Sequence, residues 1–146
     1  MKHFKIKHIA ISLFALFIFQ ITRAQNPENW TSKQLLEPSV LAENLNSGKE
    51  VPIIISVGPG AVIPNSINIG MAKESGNIQK LKNKLKGLPK NTRVVIYCGC
   101  CPFDHCPNVR PAIDVLKEMK FTNYQLLDLP HNIKTDWIDK GYPQIK

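Results

Sequence analysis

The stretch that most constrains the fold runs from Val94 to Arg110, where an apolar segment passes into a helix through a cysteine-rich loop. Residues 94–97 are apolar and largely β-branched, which is typical of a strand buried on both faces. Asn108 and Pro111 have the positions of an N-cap and a first-turn proline, so a helix is expected to start there. The segment therefore predicts a strand, a loop and a helix in immediate succession.

All four cysteines of the chain lie in this loop, at Cys98, Cys100, Cys101 and Cys106. A thiol at the carboxyl end of a central strand lies where open α/β sheets bind ligands. The start of the next helix directs N–H groups and its positive dipole end to the same place, which favours anions and thiolates. Because the four cysteines span only nine residues, they cannot be a disulfide framework that links distant parts of a domain.

Predicted helices and strands alternate along the rest of the chain. Apolar spacing predicts helices over 40–45, over 77–86, after Asn108 and around Trp137. Asn77 and Thr135 are the expected caps of the second and the last of these helices. Residues 31–34 have the form of a capping box, which predicts a further helix start. Strands are predicted over 51–57, within 63–69, and over 92–98 and 124–129. This order predicts an α/β fold, a three-layer sandwich with a mainly parallel central sheet.

The N-terminus has the form of a secretory signal peptide over residues 1–24. A basic head is followed by an apolar run over 9–21, and Ala24 precedes the expected cut. The run is short for a membrane span, which disfavours the alternative of an uncleaved anchor helix. Cleavage leaves residues 25–146, which suits a single domain. We therefore expect an exported protein, periplasmic or secreted, without stable membrane insertion after cleavage.

The charge of the chain argues against nucleic acid as a partner. The full sequence has a formal net charge of +8, and removal of the four basic residues of residues 1–24 lowers it to +4. Much of the excess comes from five lysines between residues 80 and 90, which fits a solvated helix face. Neither a strongly basic domain nor a nucleic-acid motif is present.

The order of these motifs resembles the rhodanese-like domain over about residues 35–144. Residues 53–57 followed by 63–69 are similar to the first strand and turn of that family, and residues 139–143 are similar to its C-terminal ending. Residues 94–98 resemble the strand that delivers the family's active cysteine. The resemblance implies a cysteine persulfide that takes sulfur from a donor such as thiosulfate and passes it to cyanide or a thiol.

Carried onto this chain, the resemblance implies that Cys98 holds the persulfide and that Arg110, with the helix start, binds a small sulfur-containing anion. The chain departs from the family pattern because eleven residues, rather than four, separate Cys98 from Arg110. Ser56 and Gly58 also stand where the family commonly has an Asp and an Arg. The alternatives are a buried, unreactive Cys98 and an Arg110 paired with Asp114 on the helix surface.

Two other functions remain open at this point. Cys98 and Cys101 have the Cys-x-x-Cys spacing of thiol–disulfide oxidoreductases, with Cys100 and Cys106 as further resolving or redox thiols. A non-catalytic module that binds a soft metal is the second, with Cys98, Cys101, His105 and Cys106 as weak candidate ligands. Because the spacing is not that of paired zinc knuckles, no metal or other cofactor is expected.

His131 follows the last predicted strand. It either borders the cysteine loop as a proton relay or lies in an exposed surface turn.

Overall fold

The structure is a computed structural model and describes residues 30–145. The signal peptide predicted over residues 1–24 lies outside the described residues and stays a prediction. Within residues 30–145, no helix has both the length and the apolar character needed to cross a membrane.

A five-stranded, all-parallel sheet forms the centre of the fold. Its strands are β1 (Leu35–Leu36), β2 (Ile53–Ser56), β3 (Ile67–Asn68), β4 (Val94–Tyr97) and β5 (Tyr124–Leu127). The helices are α1 (Pro38–Ser47), α2 (Ser75–Leu85) and α3 (Val109–Glu118), with a 3-10 turn (Phe103–His105) and a π-helical turn (Lys134–Ile138). The strand order is β1-β5-β4-β2-β3 and every neighbouring pair is parallel, so β4 lies in the middle of the sheet.

Helices cover both faces of the sheet. Successive side chains of a strand point to opposite faces, and in β4 Val94 and Ile96 pack with the buried residues of α2 and α3. Val95 and Tyr97 pack on the other face with α1 and with Trp137 of the π-helical turn. The predicted three-layer α/β sandwich with a parallel sheet is therefore confirmed.

The carboxyl end of β4 is fixed by a tyrosine on the face opposite the cysteine loop. The hydroxyl of Tyr97 accepts the backbone N–H of Val62 at 3.0 Å and that of Ile63 at 3.4 Å. The carbonyl of Tyr97 accepts the N–H of Val57 at 2.9 Å, which continues the pairing of β2 with β4 past the end of the strands. These bonds hold the backbone in place immediately before Cys98.

The capping box predicted at residues 31–34 does not start a helix. Thr31 N–H donates to Oε1 of Gln34 at 2.9 Å, which is one of the two bonds of the motif. The Gln34 N–H donates to the Thr31 carbonyl at 2.9 Å, so the second bond, to the Thr31 hydroxyl, does not form. The chain then enters β1, where Leu35 lies opposite Leu126 of β5. Pairing with β5 therefore prevails over the local helix signal, as tertiary contacts commonly do.

Two predicted caps were also wrong. Helix α2 begins at Ser75, and Asn77 lies inside its first turn, where Nδ2 donates to the carbonyl of Met71 at 3.0 Å. The last helical turn begins after Ile133, and Thr135 lies inside it, where its N–H donates to Oδ1 of Asn132 at 3.0 Å. In both places the helical turn begins before the residue that the sequence pattern indicated as its cap.

Candidate functional site

The cysteine loop joins the central strand β4 to helix α3, as the sequence predicted. Cys98 follows β4 directly, and Cys106 lies three residues before α3. The loop brings the four Sγ atoms within 4.8 Å of one another. The site is therefore one compact sulfur cluster, formed by Cys98, Cys100, Cys101 and Cys106, at the carboxyl end of the sheet.

The sulfur cluster extends from the protein interior to the surface. Cys98 and Cys106 are buried, each 2% exposed, whereas Cys101 is half-buried and Cys100 is exposed. The Sγ of Cys100 lies 3.3 Å from that of Cys98 and 3.3 Å from that of Cys101. These distances are well beyond the roughly 2.05 Å of a disulfide bond, so all four are free thiols. Cys100 connects the buried Cys98 sulfur to solvent.

The environment of Cys98 favours its thiolate. A hydrogen bond from the Cys106 thiol is the largest effect and lowers the pKa of Cys98, while burial opposes it. The backbone N–H and thiol of Cys100 and the side chain of Asn108 also donate to this sulfur, and together they bring its pKa to about 5. A hydrogen bond is stronger when its acceptor is charged, so these donors stabilise the thiolate more than the thiol. Cys98 is therefore ionised at neutral pH.

The neighbouring thiols keep their protons. Cys106 donates a hydrogen bond to Cys98 and is buried, and both effects raise the pKa of Cys106 well above the ordinary range of a thiol. Burial, together with the sulfurs of Cys101 and Cys98, raises the pKa of Cys100 to about 12. Cys98 is thus the thiolate of the cluster, and Cys106 and Cys100 are its hydrogen-bond donors.

Asn108 has a role that its sequence position did not reveal. It precedes α3 as predicted, yet its side chain forms no capping hydrogen bond. Instead, Oδ1 accepts the N–H of Lys73 at 3.1 Å, and Nδ2 donates to the Sγ of Cys98 at 3.6 Å. The backbone N–H of Asn108 donates to the sulfur of Cys106. Asn108 therefore positions two of the four sulfurs, and no signal in the sequence indicated its bond to Lys73.

Two glycines allow the close packing around Cys98. A Cβ on the buried Gly58 would lie 3.0 Å from the Cys98 Sγ, so the absence of a side chain there leaves room for the sulfur. A Cβ on Gly99 would lie 2.8 Å from two side-chain carbons of Ile133. The N–H of Ile133 also donates to the Gly99 carbonyl at 3.0 Å. The start of the loop is therefore held against the segment that follows β5.

The structure places the other predicted site residues as follows. Arg110 is half-buried in the first turn of α3, two residues after Asn108, and its role in anion binding stays a prediction. The His105 side chain is 77% exposed, and its Nε2 lies 3.5 Å from a carboxylate oxygen of Asp104. His105 is not part of the sulfur cluster, where Cys100 is the fourth member instead.

His131 lies in a surface turn, which is the second of the two readings of its sequence position. Its side chain is 67% exposed, and Nδ1 lies 2.9 Å from Oδ1 of Asp136. The Asp136 carboxylate also accepts the backbone N–H groups of His131 and Asn132 at 2.7 and 3.1 Å. The interactions of His131 therefore organise the turn itself.

Comparison with known proteins supports the fold and gives no information on the chemistry of the sulfur cluster. No family model matches the chain. No curated protein matches it either. Among solved structures, the chain is similar to the crystal structure of the Alr3790 protein from Anabaena sp., with 17% sequence identity and a TM-score of 0.53. The match covers 75% of this chain and 90% of that one, and at this identity it shows the fold alone.

Proposed function

We propose that the protein is a sulfurtransferase that carries sulfane sulfur as a persulfide on Cys98. The observation that carries the proposal is the position of this sulfur at the end of the central strand, where the Cys100 N–H and the Asn108 amide donate to it. Donors arranged in this way stabilise the thiolate before attack and again when it is the leaving group. The resemblance to the rhodanese-like domain supplies the reaction class.

The reaction proceeds in two displacement steps. The Cys98 thiolate attacks the outer sulfur of an anionic donor such as thiosulfate, a new S–S bond forms, and sulfite leaves with the electron pair of the broken S–S bond. A thiophilic acceptor, cyanide or a thiolate, then attacks the outer sulfur of the persulfide. Cys98 leaves as the thiolate, so the enzyme is regenerated without an external oxidant or reductant.

Access to Cys98 depends on its exposed neighbour. The Cys98 Sγ is buried, and the exposed Cys100 lies 3.3 Å from it, so the donor approaches from the Cys100 side. Displacement of the Cys100 side chain opens this path, while the contact of Gly99 with Ile133 keeps the start of the loop in place. Arg110, in the first turn of α3, is the proposed partner for the negative charge of the donor.

A second candidate function, thiol–disulfide exchange, is favoured by the distance between Cys98 and Cys100. Sulfurs 3.3 Å apart need only a small movement to form a disulfide. If the Cys100 thiol passes its proton to the outer sulfur of a Cys98 persulfide and attacks the inner sulfur, a Cys98–Cys100 disulfide forms and hydrosulfide leaves. A dithiol reductant would then be needed to restore the thiols. The sequence had suggested Cys101 as the partner of Cys98, and the geometry favours Cys100.

The test is thiocyanate formation from thiosulfate and cyanide by reduced, metal-free protein. We expect turnover by the wild type and complete loss in Cys98→Ser, with a mass increase of one sulfur atom on Cys98 after incubation with thiosulfate alone. His105→Ala is the control, since that side chain lies outside the sulfur cluster. Wild-type protein that forms no thiocyanate and gains no sulfur would refute the sulfurtransferase. Equal release of hydrosulfide from the persulfide forms of the wild type and Cys100→Ser would argue against the exchange reaction.

A further inference from the structure

We propose that the four thiols also form a tetrathiolate site for a single Zn²⁺ ion, with Cys98, Cys100, Cys101 and Cys106 as the ligands. All four Sγ atoms lie within 4.8 Å of one another, and two of the pairs are 3.3 Å apart. Zn–S bonds of about 2.3 Å in a tetrahedron place the sulfurs about 3.8 Å apart. The required spacing lies inside the observed range, so small shifts of the side chains complete the site.

The groups around the sulfurs are those that support thiolate ligands. The Cys100 N–H donates to the Cys98 sulfur and the Asn108 N–H donates to the Cys106 sulfur. The Nδ2 of Asn108 adds a second donor to Cys98 at 3.6 Å. Because Oδ1 of Asn108 accepts the N–H of Lys73, its amide is held with the NH₂ group toward the sulfur. Outer hydrogen bonds of this kind fix the ligands and moderate their charge.

The donor set and its size point to one class of metal. Four thiolates in a compact tetrahedron are the preferred environment of Zn²⁺ or iron–sulfur centres. A multi-iron cluster would have to lie between its ligands and would hold them further apart than 4.8 Å, so a single ion fits better. As each Zn–S bond forms, the thiols that carry protons release them to solvent, and no electron is transferred.

The ion reaches the site from the surface. Cys100 is exposed and Cys101 is half-buried, so these two sulfurs meet the ion before Cys98 and Cys106 do. The inference does not rest on the proposed sulfur transfer. The two functions exclude each other at Cys98, because the lone pair that would attack a sulfur donor is the pair that would bind the metal. Metal-loaded protein is therefore expected to be inactive in sulfur transfer.

The experiment is a titration of the reduced, chelator-treated protein with Co²⁺ under anaerobic conditions, followed by Zn²⁺. We expect one Co²⁺ per chain with the intense sulfur-to-metal absorption of a tetrahedral tetrathiolate, which Zn²⁺ then displaces. Uptake with a spectrum of only one or two sulfur ligands, or no uptake, would overturn the inference. Replacement of an outer hydrogen-bond partner commonly weakens metal binding roughly 10–100-fold. Replacement of a ligand should cost at least as much.

Cys100→Ser is the informative variant because its side chain is exposed and its replacement leaves the core packing intact. We expect a loss of about one quarter of the sulfur-to-metal absorption, and His105→Ala should bind as the wild type does. Wild-type binding by Cys100→Ser, or equal weakening by His105→Ala, would refute the site. Thiocyanate formation without Co²⁺ uptake would overturn this inference alone. Tight Co²⁺ binding by a protein that is inactive when metal-free would instead overturn the sulfurtransferase.

Discussion

Replacement of Cys106 by alanine is expected to raise the pKa of the Cys98 thiol by about one to two units. The hydrogen bond from Cys106 is the largest of the effects that bring this pKa to about 5. A hydrogen bond to a charged group contributes about 1.5–3 kcal/mol. One pKa unit corresponds to about 1.4 kcal/mol, so loss of the bond moves the pKa to roughly 6–7. Cys106→Ser retains a donor and should move it much less.

The assay is the ultraviolet absorbance of the thiolate as a function of pH, in reduced protein treated with a chelator. At pH 6 the wild type should hold about nine-tenths of its Cys98 as thiolate, and Cys106→Ala between about a tenth and a half. The sign follows from the direction of the shift, because the thiolate is present above the pKa and is lost as the pH falls through it. An unchanged titration in Cys106→Ala, or an equal shift in Cys106→Ser, would refute this account.

Three further predictions concern the stability of the fold, measured by urea unfolding. Gly99→Ala should lower the free energy of unfolding by about 1–3 kcal/mol, because its Cβ would lie 2.8 Å from Ile133 carbons. Gly76→Ala in α2 is the control: its Cβ would meet nothing within 4 Å, so it should raise the free energy of unfolding by about 0.5–1 kcal/mol. Equal changes in unfolding free energy for Gly99→Ala and Gly76→Ala would contradict the close contact between residue 99 and Ile133. Trp137→Phe should cost at least about 1–3 kcal/mol, since the Pro143 carbonyl loses the Nε1 donor at 2.7 Å; a smaller loss would show that water replaces it. Burial raises the pKa of Asp136, but the hydrogen bonds from His131 and Asn132 outweigh it and lower the pKa overall. Asp136→Asn should therefore be less stable than the wild type at pH 7, with the difference shrinking as the pH falls below about 4; a constant difference would disprove the linkage.

The sheet and its helices could be predicted because their signals are local. The β-branched run before Cys98 and the 3.6-residue spacing of apolar side chains in α3 depend on residues close in sequence. The same reasoning failed at residues 31–34, where one bond of the capping box forms but the chain enters a strand. The partner that decides the outcome there is Leu126, 91 residues beyond Leu35, and no local pattern contains it.

The site was predictable in its location but not in its composition. Cys98 at the end of β4 follows from the strand signal, whereas the exclusion of His105 depends on the 3-10 turn that carries its ring to the surface. The amide of Asn108 was read as a helix cap because Asn commonly caps helices. Its true partner, Lys73, lies 35 residues earlier in the chain, so only the folded structure could reveal it.

The bond network of Tyr97 has a consequence for the sulfur beside it. Tyr97 and Cys98 are consecutive, and the hydroxyl of the first is tied to backbone on the far side of the sheet. Any exchange of partner at the thiol, whether with sulfur, another cysteine or a metal ion, leaves that anchorage untouched. The backbone that leads into Cys98 is therefore anchored independently of the sulfur chemistry, and the loop that follows Cys98 is the segment free of this anchor.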